Sequence, residues 1–143
     1  SSKITGEEWS ERLEGMRQAH VAVFRSTEAL QEGCGKVRER WKDVQHVSVR
    51  GRSLMWNSDL MEALEIENLL ANGTAAIESA NARQESRGAH AHDDYPERDD
   101  QHWMKHTVSY LDAEGNISLQ YRPVHLYTLT NEVEVFPPKK RIY

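Results

Sequence analysis

The sequence predicts a mainly α fold: an up-and-down three-helix bundle, spectrin-repeat-like, followed by a β-hairpin and an extended C-terminal tail. Three observations carry that expectation. Apolar residues recur at spacings of four and three through three successive stretches up to Gln84, which places each set on one helix face. After Trp103 the period changes to two, as in strands. The chain closes with Pro137-Pro138 and a basic cluster, which suits an extended strap. A length of 143 residues allows one domain with its own core and not two. Residues 1–89 are therefore expected to form the bundle. Residues 90–143 should form a charged loop, the hairpin and the C-terminal strap, packed with the bundle as one domain.

Thr5 and Glu8 have the spacing of a capping box, and Trp9, Leu13, Met16, His20 and Phe24 follow as the apolar face of a first helix. A second helix is expected from about Ser26 to about Val44, with Leu30, Cys34, Val37, Trp41 and Val44 on its stripe. Gly33 and Gly35 weaken it by about 1 kcal/mol each relative to Ala, or permit close approach of a neighbour. His46 to Arg52 is a connector with Gly51 at a turn. Asn57 or Ser58 caps a third helix through about Gln84, with Ala63, Ile66, Leu70, Gly73, Ile77 and Ala80 inward and Leu60 and Leu64 widening the face. Near-period-3.5 stripes favour the packing of up-and-down bundles. Gly88 stands where a left-handed residue would stop this helix. Val108 and Tyr110, then Ile117, Leu119 and Tyr121, flank Asp112 to Asn116 as a hairpin with a short loop.

The composition excludes several classes. Charged residues make up 29% and the mean hydropathy is −0.78, and no apolar run approaches the roughly 20 residues of a membrane span. A net charge of −5 argues against a general nucleic-acid binder. The single Cys34 cannot form an internal disulfide, which fits a reducing compartment. Ser1-Ser2-Lys3-Ile4 does not read as a signal peptide, and the missing initiating Met suggests either a piece of a longer chain or removal by processing.

Candidate chemistry is sparse. His90, His92, His102 and His106 invite zinc, because His102 and His106 are spaced to share a helical face. No thiolate joins them, and salt bridges explain the intervening acids better. Cys34 lies in an apolar stripe, where Cys behaves as a small hydrophobe. Gly33-Cys34-Gly35-Lys36 lacks the rest of a phosphate loop, and no Gly-x-Gly-x-x-Gly fingerprint is present to seat a dinucleotide. Glu97, Asp99 and Asp100 lack the alternating spacing of a calcium loop. Arg87 and His90 remain. A guanidinium forks onto a carboxylate, either a small dicarboxylate or, as the reading favoured here, an acid of a neighbouring domain. On that reading Arg87 is dispensable for the segment's own stability.

From Ala82 to Asp100 the chain is dense in charge and suits a surface crossing after a helix. Glu85-Ser86-Arg87-Gly88-Ala89-His90, then Asp94-Tyr95-Pro96, Arg98-Asp99-Asp100, Trp103 and His106-Thr107 resemble the C-terminal region of succinate dehydrogenase and fumarate reductase flavoprotein subunits. Leu30-Gln31-Glu32-Gly33-Cys34-Gly35-Lys36, Trp56-Asn57-Ser58-Asp59-Leu60, Tyr121-Arg122-Pro123-Val124 and Pro138-Lys139-Lys140-Arg141-Ile142-Tyr143 extend the resemblance nearly end to end. It is strongest to the alphaproteobacterial and mitochondrial succinate dehydrogenase branch. Two positions depart: His92 where the family usually has Arg, and Gln84 where it commonly has Lys. A contact made by that Arg would be weaker or pH-dependent with His.

The resemblance implies an FAD-dependent oxidoreductase that oxidises succinate to fumarate and passes electrons through iron–sulfur centres to quinone. FAD and the catalytic residues would lie upstream, with no catalytic, cofactor-binding or metal residue in this segment. Its partners would be the flavin-binding and capping domains, the iron–sulfur subunit and the membrane anchor subunits, with no nucleic acid. The location would be peripheral on the cytoplasmic face of the bacterial inner membrane or the matrix face of the mitochondrial one. Ser86, Arg87, Gly88, His90 and Arg98 are the candidate interdomain contacts. Fumarate reductase, another flavoprotein of the superfamily, or a stand-alone helical interaction module are the alternatives.

Overall fold

Glu8, Glu11, Arg12, Gly15 and residues 24–44, 46–49 and 53–139 are described by a computed structural model. Among them run β1 (Phe24–Arg25), α1 (Thr27–Val44), α2 (Ser58–Ala82), β2 (Ala91–His92), β3 (Lys105–Leu111) and β4 (Ile117–Pro123). The expected three-helix bundle with hairpin and tail is corrected accordingly. Among the described residues two helices are bounded, with a short parallel pair β1–β2 and an open two-stranded antiparallel sheet β3–β4, and they do not make a closed spectrin-like bundle. Glu8, Glu11, Arg12 and Gly15 are helical and exposed, whereas Thr5, Trp9, Leu13, Met16 and His20 lie outside the described residues, as does Gly51. Phe24, assigned above to a helical stripe, is in a strand. Its place follows from Ser26, whose Oγ accepts from the Ala29 N–H at 3.2 Å. A residue capping the next helix requires non-helical backbone, and the chain before it pairs in parallel with Ala91–His92.

Helix α1 buries Leu30, Gly33, Cys34 and Val37. Helix α2 opens on Asn57, whose Oδ1 accepts from the Leu60 N–H at 3.0 Å, and buries Ile66, Leu70, Thr74, Ile77, Glu78 and Ala80. Leu64 points outward instead, 63% exposed. The Arg38–Glu78 ion pair at 2.6 Å and the Trp41 Nε1–H to Thr74 Oγ1 bond at 2.9 Å run in opposite chain directions, so the helices are antiparallel. The Thr74 hydroxyl in turn donates to the Leu70 carbonyl at 2.7 Å, which satisfies a polar group inside the core. Burial and the adjacent Glu78 push the Cys34 thiol up to about 12, so it stays protonated and inert. A Cβ on Gly35 would meet nothing within 4 Å, so close approach is not the reason for that glycine.

Leu30, Val37, Cys34, Ile66, Leu70, Ile77 and Ala80 make one cluster, with Trp41, Val44 and Val47 packed against it. Leu70 is completely buried. Leu70→Ala is expected to cost about 2–5 kcal/mol, because the cavity cannot fully collapse between two helices. Urea unfolding of the 143-residue chain measures it.

The β3–β4 ladder pairs Lys105 with Pro123 through Leu111 with Ile117 and lies against α2. Directly opposed residues share a face, so Thr107, Ser109 and Leu111 side with Tyr121, Leu119 and Ile117. Val108 and Tyr110 point to the opposite face, and Tyr110 is 54% exposed. The loop closes on Asp112, which accepts from the N–H groups of Glu114 at 3.0 Å and Asn116 at 2.8 Å. Residues 124–139 carry no regular structure and are tied back where Arg98 donates to the carbonyls of Lys139 at 2.6 Å and Pro138 at 3.4 Å.

Candidate functional site

The charged stretch after α2 is built around Glu85, whose side chain is completely buried. The chain turns extended at Arg83, so Arg83, Glu85 and Arg87 project from one side. Arg83 Nη1 meets Glu85 Oε1 at 2.5 Å. Arg87 forks onto the same carboxylate, Nε to Oε1 at 2.8 Å and Nη2 to Oε2 at 3.0 Å. The Asp99 N–H adds a bond to Oε2 at 2.9 Å. Burial alone would raise this carboxyl, but the bonds from Arg87, the Asp99 amide and Arg83 outweigh it and hold it below the usual range. A buried carboxylate is tolerable only with its lone pairs occupied in this way.

The two arginines carry the hub outward. Arg83 also donates to the carbonyls of Trp103 at 3.1 Å and Lys105 at 2.6 Å and to Thr107 Oγ1 at 3.1 Å. It thereby fastens the end of α2 to the start of β3. Arg87 Nη2 reaches Asp100 Oδ1 at 2.6 Å, and Arg98 takes Oδ2 of the same Asp100 at 2.8 Å. Since Arg98 also holds the strap, one ionic chain runs from the helix end to residue 139.

Gly88 does not cap α2, which ends at Ala82. It sits at φ +58 in the tight turn that Arg87 and His90 close by reciprocal backbone bonds of 2.8 and 3.0 Å, where a left-handed residue is required. Ser86 Oγ accepts from the His92 N–H at 2.9 Å and lies 2.8 Å from the Tyr95 carbonyl. His90 Nε2 faces the Arg83 carbonyl at 3.1 Å and therefore carries the proton, leaving Nδ1 to accept from Arg25 Nη1 at 2.7 Å. His92 is buried, and its Nδ1 meets no partner among the described residues. His102 lies in a turn against Asp99 at 2.8 Å, and His106 is on β3, so the helical face expected for this pair does not form. Among the described residues no three His, Cys, Asp or Glu side chains gather as a metal set.

Desolvation by burial, with the charges of Arg25 and Arg83 nearby, holds the His90 imidazole below its ordinary 6.5. The unfolded chain then takes the proton more readily than the folded one. Stability is complete above pH 6.5 and falls as the pH drops below it. Melting temperatures are expected to fall between pH 7.5 and 5.5, and His90→Gln to flatten that slope.

Arg25, Arg83, Arg87, His90, Trp103, Lys105 and His106 line one open cleft of about 480 Å³, and no Asp or Glu is among its lining residues. The Lys105 ammonium lies 4.5 Å from the Trp103 ring centroid and 4.2 Å from that of Tyr121, a cation–π setting. Ser26 and Asp94 occupy the N-terminus of α1, and Asn57 that of α2. The sequence reading missed Arg83 and Glu85 as the hub. Their signal was an acid flanked at two residues on either side by arginines.

No helix among the described residues is long and apolar enough to cross a membrane. The described residues set a helical hairpin against an open β-ladder, with a buried ionic hub between them. Residues 10–143 match the family described as Fumarate reductase flavoprotein C-term, and the chain belongs to that family. It is 50% identical over 131 residues to the mitochondrial succinate dehydrogenase flavoprotein subunit of Oryza sativa subsp. japonica, covering 92% of this chain and 21% of the relative. The Rickettsia conorii succinate dehydrogenase flavoprotein subunit is 48% identical over 132 residues, with 92% and 22% covered. The Escherichia coli fumarate reductase flavoprotein subunit is 34% identical over 143 residues, with 96% and 23% covered. A solved structure of E. coli quinol fumarate reductase superposes with a TM-score of 0.79 at 28% identity, covering 97% of this chain and 23% of that one. The chain thus spans about a fifth of the length of these curated relatives.

Proposed function

We propose that this chain serves as the C-terminal domain of a succinate dehydrogenase flavoprotein subunit, as a buttress without catalytic residues of its own. The carrying observation is the 50% identity to a succinate dehydrogenase subunit, against 34% to the E. coli fumarate reductase subunit. The whole subunit would oxidise succinate to fumarate, with FAD held by upstream segments and supplying the hydride-accepting chemistry. Electrons would leave through an iron–sulfur subunit to quinone, and anchor subunits would hold the complex to the cytoplasmic or matrix face of its membrane.

In this reading Ser86, Arg87, Gly88, His90 and Arg98 form the side turned to the flavin-binding and capping domains, and the basic cleft beside them receives a carboxylate from that side. The helical hairpin and the sheet with its strap act as one unit, supported by the ionic chain from Arg83 to Lys139. The test compares two proteins. The 143-residue chain alone should melt cooperatively, show no visible flavin absorbance and reduce no dye with succinate. A longer polypeptide that carries this chain behind a flavin-binding part should show flavin absorbance and reduce dye with succinate. Flavin retained by the short chain would refute the buttress role.

A further inference from the structure

Leu54, Met55 and Trp56, just before α2, contribute nothing to the core. Leu54, Met55 and Trp56 are 88%, 78% and 102% exposed, and Met61 and Leu64 follow at 58% and 63% on the first turns of α2. The loop is nonetheless built. Ser53 Oγ donates to the Met55 carbonyl at 3.1 Å and lies 3.2 Å from the Met55 N–H, and Asn57 Nδ2 donates to the Ser53 carbonyl at 2.8 Å. Trp56 is held at φ +55, a left-handed conformation that a bulky L-residue adopts only under strain. Strain of this kind gathers at functional surfaces, and exposed Trp is a preferred anchor of interfaces.

We infer that the Leu54–Trp56 loop, with Met61 and Leu64, is the surface on which this domain docks to the polypeptide that precedes it in its relatives. The inference rests on the proposed place of this chain within a longer flavoprotein subunit. Tethering and charge select that occupant. The relatives are several times longer than the stretch matched here, so their preceding part is tethered to the domain and meets it at high effective concentration. On its α2 side the apolar patch is also flanked by Asp59, Glu62, Glu65 and Glu67. That fringe repels a second copy of itself and an anionic lipid surface. It calls for an apolar pocket with a basic rim.

The experiment replaces the corresponding C-terminal part of the Rickettsia conorii subunit, 48% identical here, by residues 1–143. A benzophenone amino acid stands at position 56 and, as control, at the exposed position 114. Illumination should crosslink position 56, and not 114, to residues of the same polypeptide upstream of Ser1. Trp56→Asp should lower the yield of flavin-loaded chimera about tenfold or more. It should leave the melting temperature of the 143-residue chain unchanged. Crosslinks to a second copy, to lipid or to another subunit would overturn the inference. So would a flavin-loaded chimera without crosslinks from position 56, or Trp56→Asp loading as well as the unaltered chimera. If the chimera with Trp56 intact folds without holding flavin, the proposed function fails and the inference falls with it.

Discussion

Glu85→Gln is expected to be the most damaging single change in the chain, costing about 3–5 kcal/mol. That is a large share of the roughly 5–15 kcal/mol that holds a domain together. The carboxylate is fully buried and collects bonds from Arg83, from both ends of the Arg87 fork and from the Asp99 amide. A neutral amide presents a donor where an acceptor is needed and leaves two guanidinium groups without their shared counter-charge. Urea unfolding of the 143-residue chain should show the loss as a lower midpoint at unchanged slope. A change below about 1 kcal/mol would mean that solvent reaches the hub. Arg87→Ala should also lower the stability of the isolated chain, because it takes away the bidentate half of the hub. This reverses the expectation, drawn from sequence, that Arg87 is dispensable there.

Gly115→Ala should rank next, at about 2–5 kcal/mol. Gly115 is buried in the hairpin loop at φ +84, and a Cβ built there lies 2.5 Å from Trp41 Cδ2 and 2.6 Å from Cδ1. Two penalties therefore coincide, a left-handed backbone and a collision with the indole that closes the helical core. Trp41 cannot swing away freely, because its Nε1–H is bonded to Thr74 at 2.9 Å. Thermal melts of Gly115→Ala, Trp41→Ala and the double variant separate the two penalties. In the double variant the collision is gone and only the backbone term remains, so the cycle should show a coupling above about 1 kcal/mol. Additive losses would place the whole effect in the φ angle.

Much of this protein was legible in its sequence, and the legible parts share a cause. Leu30, Cys34, Val37, Ile66, Leu70, Ile77 and Ala80 were on the predicted stripes and make the core, because helical period is a local property of the chain. The Asn57 cap and the hairpin around Asp112–Asn116 are set within a few residues, so local chemistry determines them too. The family was carried by short motifs in order. Tertiary structure decided the rest. Whether Phe24 ends a helix or forms a strand depends on a partner at Ala91, 67 residues away, and on Ser26 capping forward. Val108 and Tyr110 have the same alternation as Thr107 and Ser109, and only α2 selects which face is turned inward. Gly88 serves a turn closed by Arg87 and His90, a pairing that helix-stop logic does not foresee. Arg83, Glu85 and Arg87 are three charges in an exposed-looking run. They become a buried hub because the Asp99 amide, Asp100 and the start of β3 are brought around them, and hydrogen bonds that close across a fold have no period to read.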